Sequence, residues 1–362
     1  MNNQENYEFN DFNYVKDYDS TNNKAVIEHN KEKPENIYKF YAVSRFSVDA
    51  LIKGYFYASH PIELNDSLDC SPFLWYTSKP IEIEQYKRLW GNILTDKELK
   101  DYYEQDCNTE NLCKGFISNV FDTATNLFGV ISTTGKENNP LMWPHYTQEK
   151  GFQIKFKTSE LEKSIESKIT KDEEYLGLYP INYTQKLSPI DISSYRTMLV
   201  PLYYATNIKS KQWKYEDEWR FLVSKQNMGV PYTKLGFAQK EDYIVDKSNR
   251  YVFYDKNLVD EICLGHNFFN TRDFEIEWLD DKNIKVKPKK TDSNWEFKNQ
   301  VLLLDYISEN LNDKLYYSGI KYELDENDTH YLIRTKEKLG ILKQDDDSYI
   351  LTRTNEIIRL MN

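Results

Sequence analysis

Cysteine is scarce in this chain: four residues, Cys70, Cys107, Cys113 and Cys263, in a length of 362. No two of them form a Cys-x-x-Cys, and no histidine pair stands beside them at zinc-ligand spacing. The thiols therefore read as free, in a reducing cytosol. Also missing are Gly-x-Gly-x-x-Gly and Gly-x-x-x-x-Gly-Lys-Ser/Thr, the loops that cradle phosphates at a helix start. There is no Gly-x-Ser-x-Gly and no Cys/His pairing that suggests a nucleophile. No apolar run approaches the length that spans a bilayer. The opening Met1-Asn2-Asn3-Gln4-Glu5 is neither basic nor apolar, so no signal peptide is expected. The expectation is a cytoplasmic protein without membrane contact.

Positive charge is in deficit. Lys and Arg number 47 against 58 Asp and Glu, a formal net charge of -11, and the pI is about 5.2. A Lys/Arg excess supplies most non-specific affinity for nucleic acid, so nucleic acid is expected only as a modified substrate. Aromatic residues, by contrast, make up 15% of the chain, with 29 Tyr and 18 Phe. That is ample for a sizeable core and for stacking surfaces.

The pattern predicts an α+β fold with a mixed or antiparallel central sheet. Residues 1–35 are polar, Asn-rich and acidic, and read as a tail, disordered or draped on the body. Residues 36–290 form the main domain, with a helical insertion at about 80–128 whose core positions include Leu89, Ile93, Leu112, Phe116, Ile117 and Val120. Strands are expected at Ile37–Tyr41, Tyr55–Ser59, Phe128–Thr134, Gly151–Phe156, Arg250–Tyr254, Phe274–Trp278 and Ile284–Pro288. Ser47 is the expected cap of a short helix ending at Gly54. After a linker at Lys289–Ser293, residues 291–362 read as helix, helix, hairpin, helix, which resembles a winged helix. This segment carries 14 acidic against 9 basic residues, and its hairpin tip is Asp345-Asp346-Asp347. Contact with a protein partner, or self-association, is expected there rather than DNA binding.

The stretch that organises the functional reading is Tyr215-Glu216-Asp217-Glu218-Trp219-Arg220-Phe221-Leu222-Val223. As a strand it alternates with period two. Trp219, Phe221 and Val223 face a core. Glu216, Glu218 and Arg220 share the other face, with the two carboxylates about 7 Å apart. Such a face is either a solvated ionic row or a site.

Tyr38-Lys39-Phe40, Tyr57-Ala58-Ser59-His60-Pro61, Asn65-Asp66, Leu141-Met142-Trp143-Pro144-His145-Tyr146, Gly151-Phe152 and Trp213 to Arg220 occur in that order. The set resembles a large bacterial family catalogued as domain of unknown function 2971, over about Ile37 to Gly265. The chain departs from the family pattern at Tyr41, where Arg is usual, at Ser67 after Asn65-Asp66, and at Pro144. The resemblance implies contacts among these motifs and a place in bacterial accessory or phage-defence gene sets. It implies no reaction.

A second resemblance concerns order. A strand with Tyr38 and Lys39 precedes Ser132-Thr133-Thr134, which precedes Glu216-x-Glu218. This is similar to the Arg, Ser-Thr-Ser, Glu-x-Glu order of ADP-ribosyltransferases. It implies NAD as the cofactor or substrate. Breaking the nicotinamide N-glycosidic bond develops positive charge on the ribose, which Glu218 would stabilise. Glu216 would orient or deprotonate an acceptor, and His145 is a further acid/base candidate. Tyr38 or Tyr57 would stack on nicotinamide, Lys39 or Arg45 would meet the pyrophosphate, and Ser132 would fix the pocket floor. Asn65, Asp66, Tyr146 and Arg220 complete the expected cofactor-binding set, and no metal is expected. The alternative is a non-catalytic sensor that recognises a phage product, a nucleotide or a partner protein.

Overall fold

A computed structural model of the chain describes residues 3–19, 24–90, 95–107, 117, 120–121, 124–137, 139–169, 173–225, 228–229, 247–289 and 295–360. The architecture is α+β. Its spine is an eleven-stranded sheet. Across the sheet the strands run Phe274–Trp278, Asn283–Pro288, Tyr349–Arg359, His330–Lys343, Leu315–Leu324, Glu261–Leu264, Phe152–Lys157, Asn36–Tyr41, Phe128–Thr134, Glu218–Lys225 and Glu173–Pro180. Every neighbouring pair is antiparallel except Leu315–Leu324, which runs parallel to Glu261–Leu264.

Both faces of the middle strands are buried. In Glu218–Lys225, Trp219, Phe221 and Val223 enter one core with Phe56, Phe152 and Ile262. Leu222, from the opposite face, enters a second core with Trp75, Tyr204 and Ile208. The alternation places Trp219 and Phe221 inward, and the second core explains why the charged face of the same strand is also covered.

The helix Arg45–Lys53 starts one turn earlier than its sequence suggests. Ser44, not Ser47, is the N-cap, and Ser47 at the third helical position completes a capping box. Gly54 stops the helix in the left-handed region, at φ 72°. The described part of the helical insertion contains Ile83–Trp90 and Asp96–Cys107. Ile117 and Val120 are buried in the second core. Ile93, Leu112, Phe116 and residues 290–293 of the expected linker lie outside the described residues, as does the side chain of Leu89.

Two expectations are corrected at the ends of the chain. The N-terminal segment is not disordered but lies on the body, the second of the two alternatives, and does so as a three-stranded antiparallel sheet, Gln4–Phe9, Phe12–Asp17 and Val26–His29. Asn10, at φ 53°, turns the hairpin, and Phe12, Tyr14 and Ile27 fill the second core. Tyr14 Oη donates to Asn207 Oδ1 at 2.7 Å and accepts from Asn182 Nδ2 at 3.2 Å. The aromatic residues do have a period of two; the turn interrupts it.

At the other end, among the described residues, no winged helix forms: of the three expected helices only the first, Trp295–Asn310, is present there. Residues expected as helices at 327–339 and 355–361 lie largely in the long strands His330–Lys343 and Tyr349–Arg359. Asp325 to Thr329 is a hairpin turn, closed by Asp325 N donating to Thr329 O at 3.0 Å. Alternating Tyr331, Ile333 and Thr335 then favour a strand. Leu303, Leu304, Leu339, Ile341 and Leu351 share the first core with the body, so this segment has no separate core. The acidic turn folds back, with Asp346 3.0 Å from Lys285 and 3.4 Å from Lys287.

Candidate functional site

The expected strand breaks at its start. Lys211–Glu216 is a 3-10 turn, and Asp217, at φ 43°, reverses the chain before the strand begins at Glu218. Glu216 therefore reaches the charged cluster from the turn and Glu218 from the strand. Tyr183 Oη accepts from Glu218 N at 3.0 Å and holds the junction.

Five buried charges meet here. Arg220 donates to both oxygens of Glu218, at 2.7 and 3.1 Å, and to both oxygens of Asp69, at 2.8 and 2.5 Å. Lys209 Nζ lies 2.7 Å from Glu216, 3.0 Å from Glu218 and 3.4 Å from Asp69. Tyr146 donates to Glu216 and accepts from Asn65 Nδ2 at 3.2 Å. The row is buried, not solvated. Such ions persist out of water only when paired and hydrogen-bonded.

The two carboxylates are driven in opposite directions. Burial works to raise Glu218, but Arg220 and Lys209, with a hydrogen bond from Ser132, hold it well below the usual carboxylate range. Burial raises Glu216, and the neighbouring charge of Glu218 raises it further. Lys209, which burial would lower, is raised by Glu218 and Asp69.

These groups line a pocket of about 210 Å³ together with Tyr38, Lys39, Phe40, Ser59, Ser132, Thr133 and Met142. A second cleft of about 390 Å³ shares Lys39, Phe40 and Ser59 with it. Its other walls include the aromatic rings of Tyr41, Phe46, Tyr55, Tyr57 and Tyr251, with Lys247 beside Tyr57. Tyr55 and Tyr251 stack with ring centroids 3.9 Å apart. Lys39 stands at the junction, its Nζ 2.6 Å from Ser132 O and 5.7 Å from the Tyr41 ring centre. Burial pushes its amine down to about 8, against a smaller pull from Glu218.

The positions of the expected residues follow from local folding. Glu216, Glu218, Arg220, Ser132, Tyr146, Asn65, Tyr38 and Lys39 all line the ionic pocket. Tyr57 lines the aromatic cleft. Tyr38 packs toward Phe40, Trp143, Cys263 and Tyr316, which leaves Tyr57 as the available stacking ring. Asp66 anchors a turn: it accepts from Leu68 N at 3.0 Å and from Trp213 Nε1 at 2.8 Å, so its carboxylate positions neighbours rather than lining the pocket. His145 is exposed on the π-helical turn Trp143–Thr147, its ring 3.1 Å from Tyr215 Oη, and it lines neither cavity. That turn buries Trp143 against Phe40 and directs Tyr146 to the pocket. Arg45 is likewise exposed, and Lys39 takes the place expected of either cation.

Sequence reasoning missed Asp69 and Lys209, the two residues that complete the charge cluster. Lys209 carried a signal, because it directly follows the apolar helix Leu199–Asn207 and Ile208, where a solvated lysine has no place. Asp69 carried none. Among the described residues no group of His, Cys, Asp and Glu could hold a metal ion.

Residues 142–221 match the model of a family described as "Protein of unknown function (DUF2971)". The match covers a segment that runs from the Met142-Trp143 turn to Phe221 and so contains Tyr146, Lys209, Glu216, Glu218 and Arg220. No curated protein and no solved structure matches the chain.

Proposed function

We propose that the protein binds a nucleotide-class ligand, with NAD as the candidate, across the two-part cleft, and that the ionic end cleaves its N-glycosidic bond as an ADP-ribosyltransferase or NAD glycohydrolase does. One observation carries the reading. Two adjacent carboxylates line one pocket with their proton affinities pushed apart, Glu218 down and Glu216 up. Pairs separated in this way divide the charge-stabilising and proton-transfer roles.

The aromatic cleft suits a planar base, and Lys39 at the junction suits an anionic group. When the bond to nicotinamide breaks, its electron pair leaves with the ring and positive charge remains on the ribose. Glu218, ionised and held by Arg220, faces that charge. Glu216 accepts the proton of the incoming water or acceptor hydroxyl. The resemblance to bacterial accessory genes adds the setting of a cytoplasmic effector, in phage defence.

The test is incubation of the purified protein with NAD, with nicotinamide release and acceptor labelling as readouts. Release that Glu216→Gln abolishes supports the reading. Absence of both release and binding ends it. A second reading has its own observation: both Glu218 oxygens are already engaged by Arg220 and Lys209, as suits a binding module that does no chemistry. Tight nucleotide binding without turnover selects that reading.

A further inference from the structure

The strands Leu315–Leu324 and His330–Lys343 extend as a hairpin beyond the body. Leu315 to Tyr317 pair with Ile262 to Leu264. Past Tyr317, among the described residues, the outer side of this strand has no strand partner, and its inner side pairs with His330–Lys343 as far as Leu324. The strand end is apolar and exposed: Ile320 is 46% exposed, Tyr322 77% and Leu324 54%, with Leu332 behind Tyr322 at 61%. An open strand edge carrying apolar side chains is a template for pairing with another chain.

We propose that this edge pairs antiparallel with the same edge of a second copy, about a two-fold axis through Tyr322. The sequence of the strand argues for this occupant. With Tyr322 opposite Tyr322 of the second copy, Lys321 falls opposite Glu323 and Ile320 opposite Leu324, each pair occurring twice. Charge meets opposite charge on one sheet face, and apolar side chains meet on the other. A two-fold contact requires this self-complementarity, because each copy presents the same patch. Shifting the axis to Lys321 would set lysine against lysine, which cross-strand pairing disfavours.

The carboxylate is already on the correct face. Glu323 accepts from Tyr331 Oη at 2.8 Å and pairs with Arg359 at 2.7 Å on that side of the sheet. A carboxylate has room for a further donor. Main-chain hydrogen bonds would supply affinity and the side-chain pairs the register.

The experiment is sedimentation equilibrium on the full chain across concentration, with circular dichroism confirming the fold of each variant. The wild type is expected to dimerise. Lys321→Glu alone and Glu323→Lys alone are each expected to weaken that dimer at least tenfold, because each places like charges opposite one another twice. A one-to-one mixture of the two folded variants restores opposite charges at both positions and should recover the wild-type affinity. A monomeric wild type at about 100 μM, unchanged dimerisation in the single variants, or a mixture no tighter than its components would each overturn the proposal.

Discussion

Arg220 grips both carboxylate oxygens of Asp69, a residue 151 positions earlier in the chain, at 2.8 and 2.5 Å. Both side chains are buried. The pair ties the Asn65–Asp69 turn to the central sheet and so sets one wall of the ionic pocket. Breaking a buried pair leaves an uncompensated charge, which costs about 3–5 kcal/mol. Asp69→Asn should therefore lower the free energy of unfolding by about 3 kcal/mol in urea. A loss below about 1 kcal/mol would mean that Glu218 and the Thr206 carbonyl hold Arg220 without it.

Glu216→Gln and Glu218→Gln should separate chemistry from folding. Glu218 answers two cations in a dry site, so its neutral variant should lose both stability and activity. Burial and the charge of Glu218 raise the proton affinity of Glu216, and Lys209 keeps Glu218 and Asp69 as partners without it, so its neutral variant should keep most of the stability. If Glu216 transfers a proton, the rate of nicotinamide release should fall about 10²–10⁴-fold while the melting temperature stays near wild type. Unchanged release in that variant would remove Glu216 from the mechanism.

Lys39 should titrate near 8 instead of the usual 10.5. Its folded value is depressed, so the unfolded chain holds more protons between these limits. Stability should accordingly rise with pH across that window. Anion binding should do the reverse, because the amine loses its charge as pH rises through 8. Affinity for a nucleotide measured from pH 6 to 10 should weaken with a midpoint near 8, and Lys39→Met should flatten the curve. A midpoint above 10 would show the amine to be solvated.

Gly151 admits no side chain. A Cβ there would lie 2.0 Å from the Tyr41 carbonyl oxygen and 2.8 Å from Thr147 Cβ. Gly151→Ala must displace the end of Asn36–Tyr41, the strand that carries Lys39, and should cost about 3 kcal/mol. Thermal unfolding of the variant checks this; a melting temperature within about one degree of wild type would contradict it.

The sheet strands around the pocket were legible from the period-two patterns of Phe152–Lys157 and Glu218–Lys225 and from the aromatic and β-branched residues of Phe128–Thr134. Glu218 and Arg220 were legible as a pair on one face for the same reason, whereas Glu216 joins them from the 3-10 turn before the strand, not by its period. Two things were not. The burial of that group depends on the second core, built from Phe12, Tyr14 and the Leu199–Asn207 helix, which no local pattern connects to the strand. The C-terminal strands were misread because Leu332, Lys336 and Leu339 also fit a helical repeat, and pairing with neighbouring strands decided between the two periods. Asp69 joins the site only through the tertiary fold.

The long reach of these contacts bears on how the chain is made. Tyr14 waits for Asn207, 193 residues later, and Glu137 for Lys336, 199 residues later. The strand Asn36–Tyr41 leaves the ribosome before either of its sheet neighbours, Phe128–Thr134 and Phe152–Lys157, has been synthesised. Contacts so distant make folding slow and leave apolar strands unpaired during synthesis. A ribosome that stops before Leu315 releases a chain whose Glu261–Leu264 strand has one side bare. The charged pocket could already have closed in such a fragment, since all its walls lie upstream of that point. Leu315–Leu324 covers the bare side of Glu261–Leu264 only when translation is nearly complete, so this edge of the body stays open to aggregation until then.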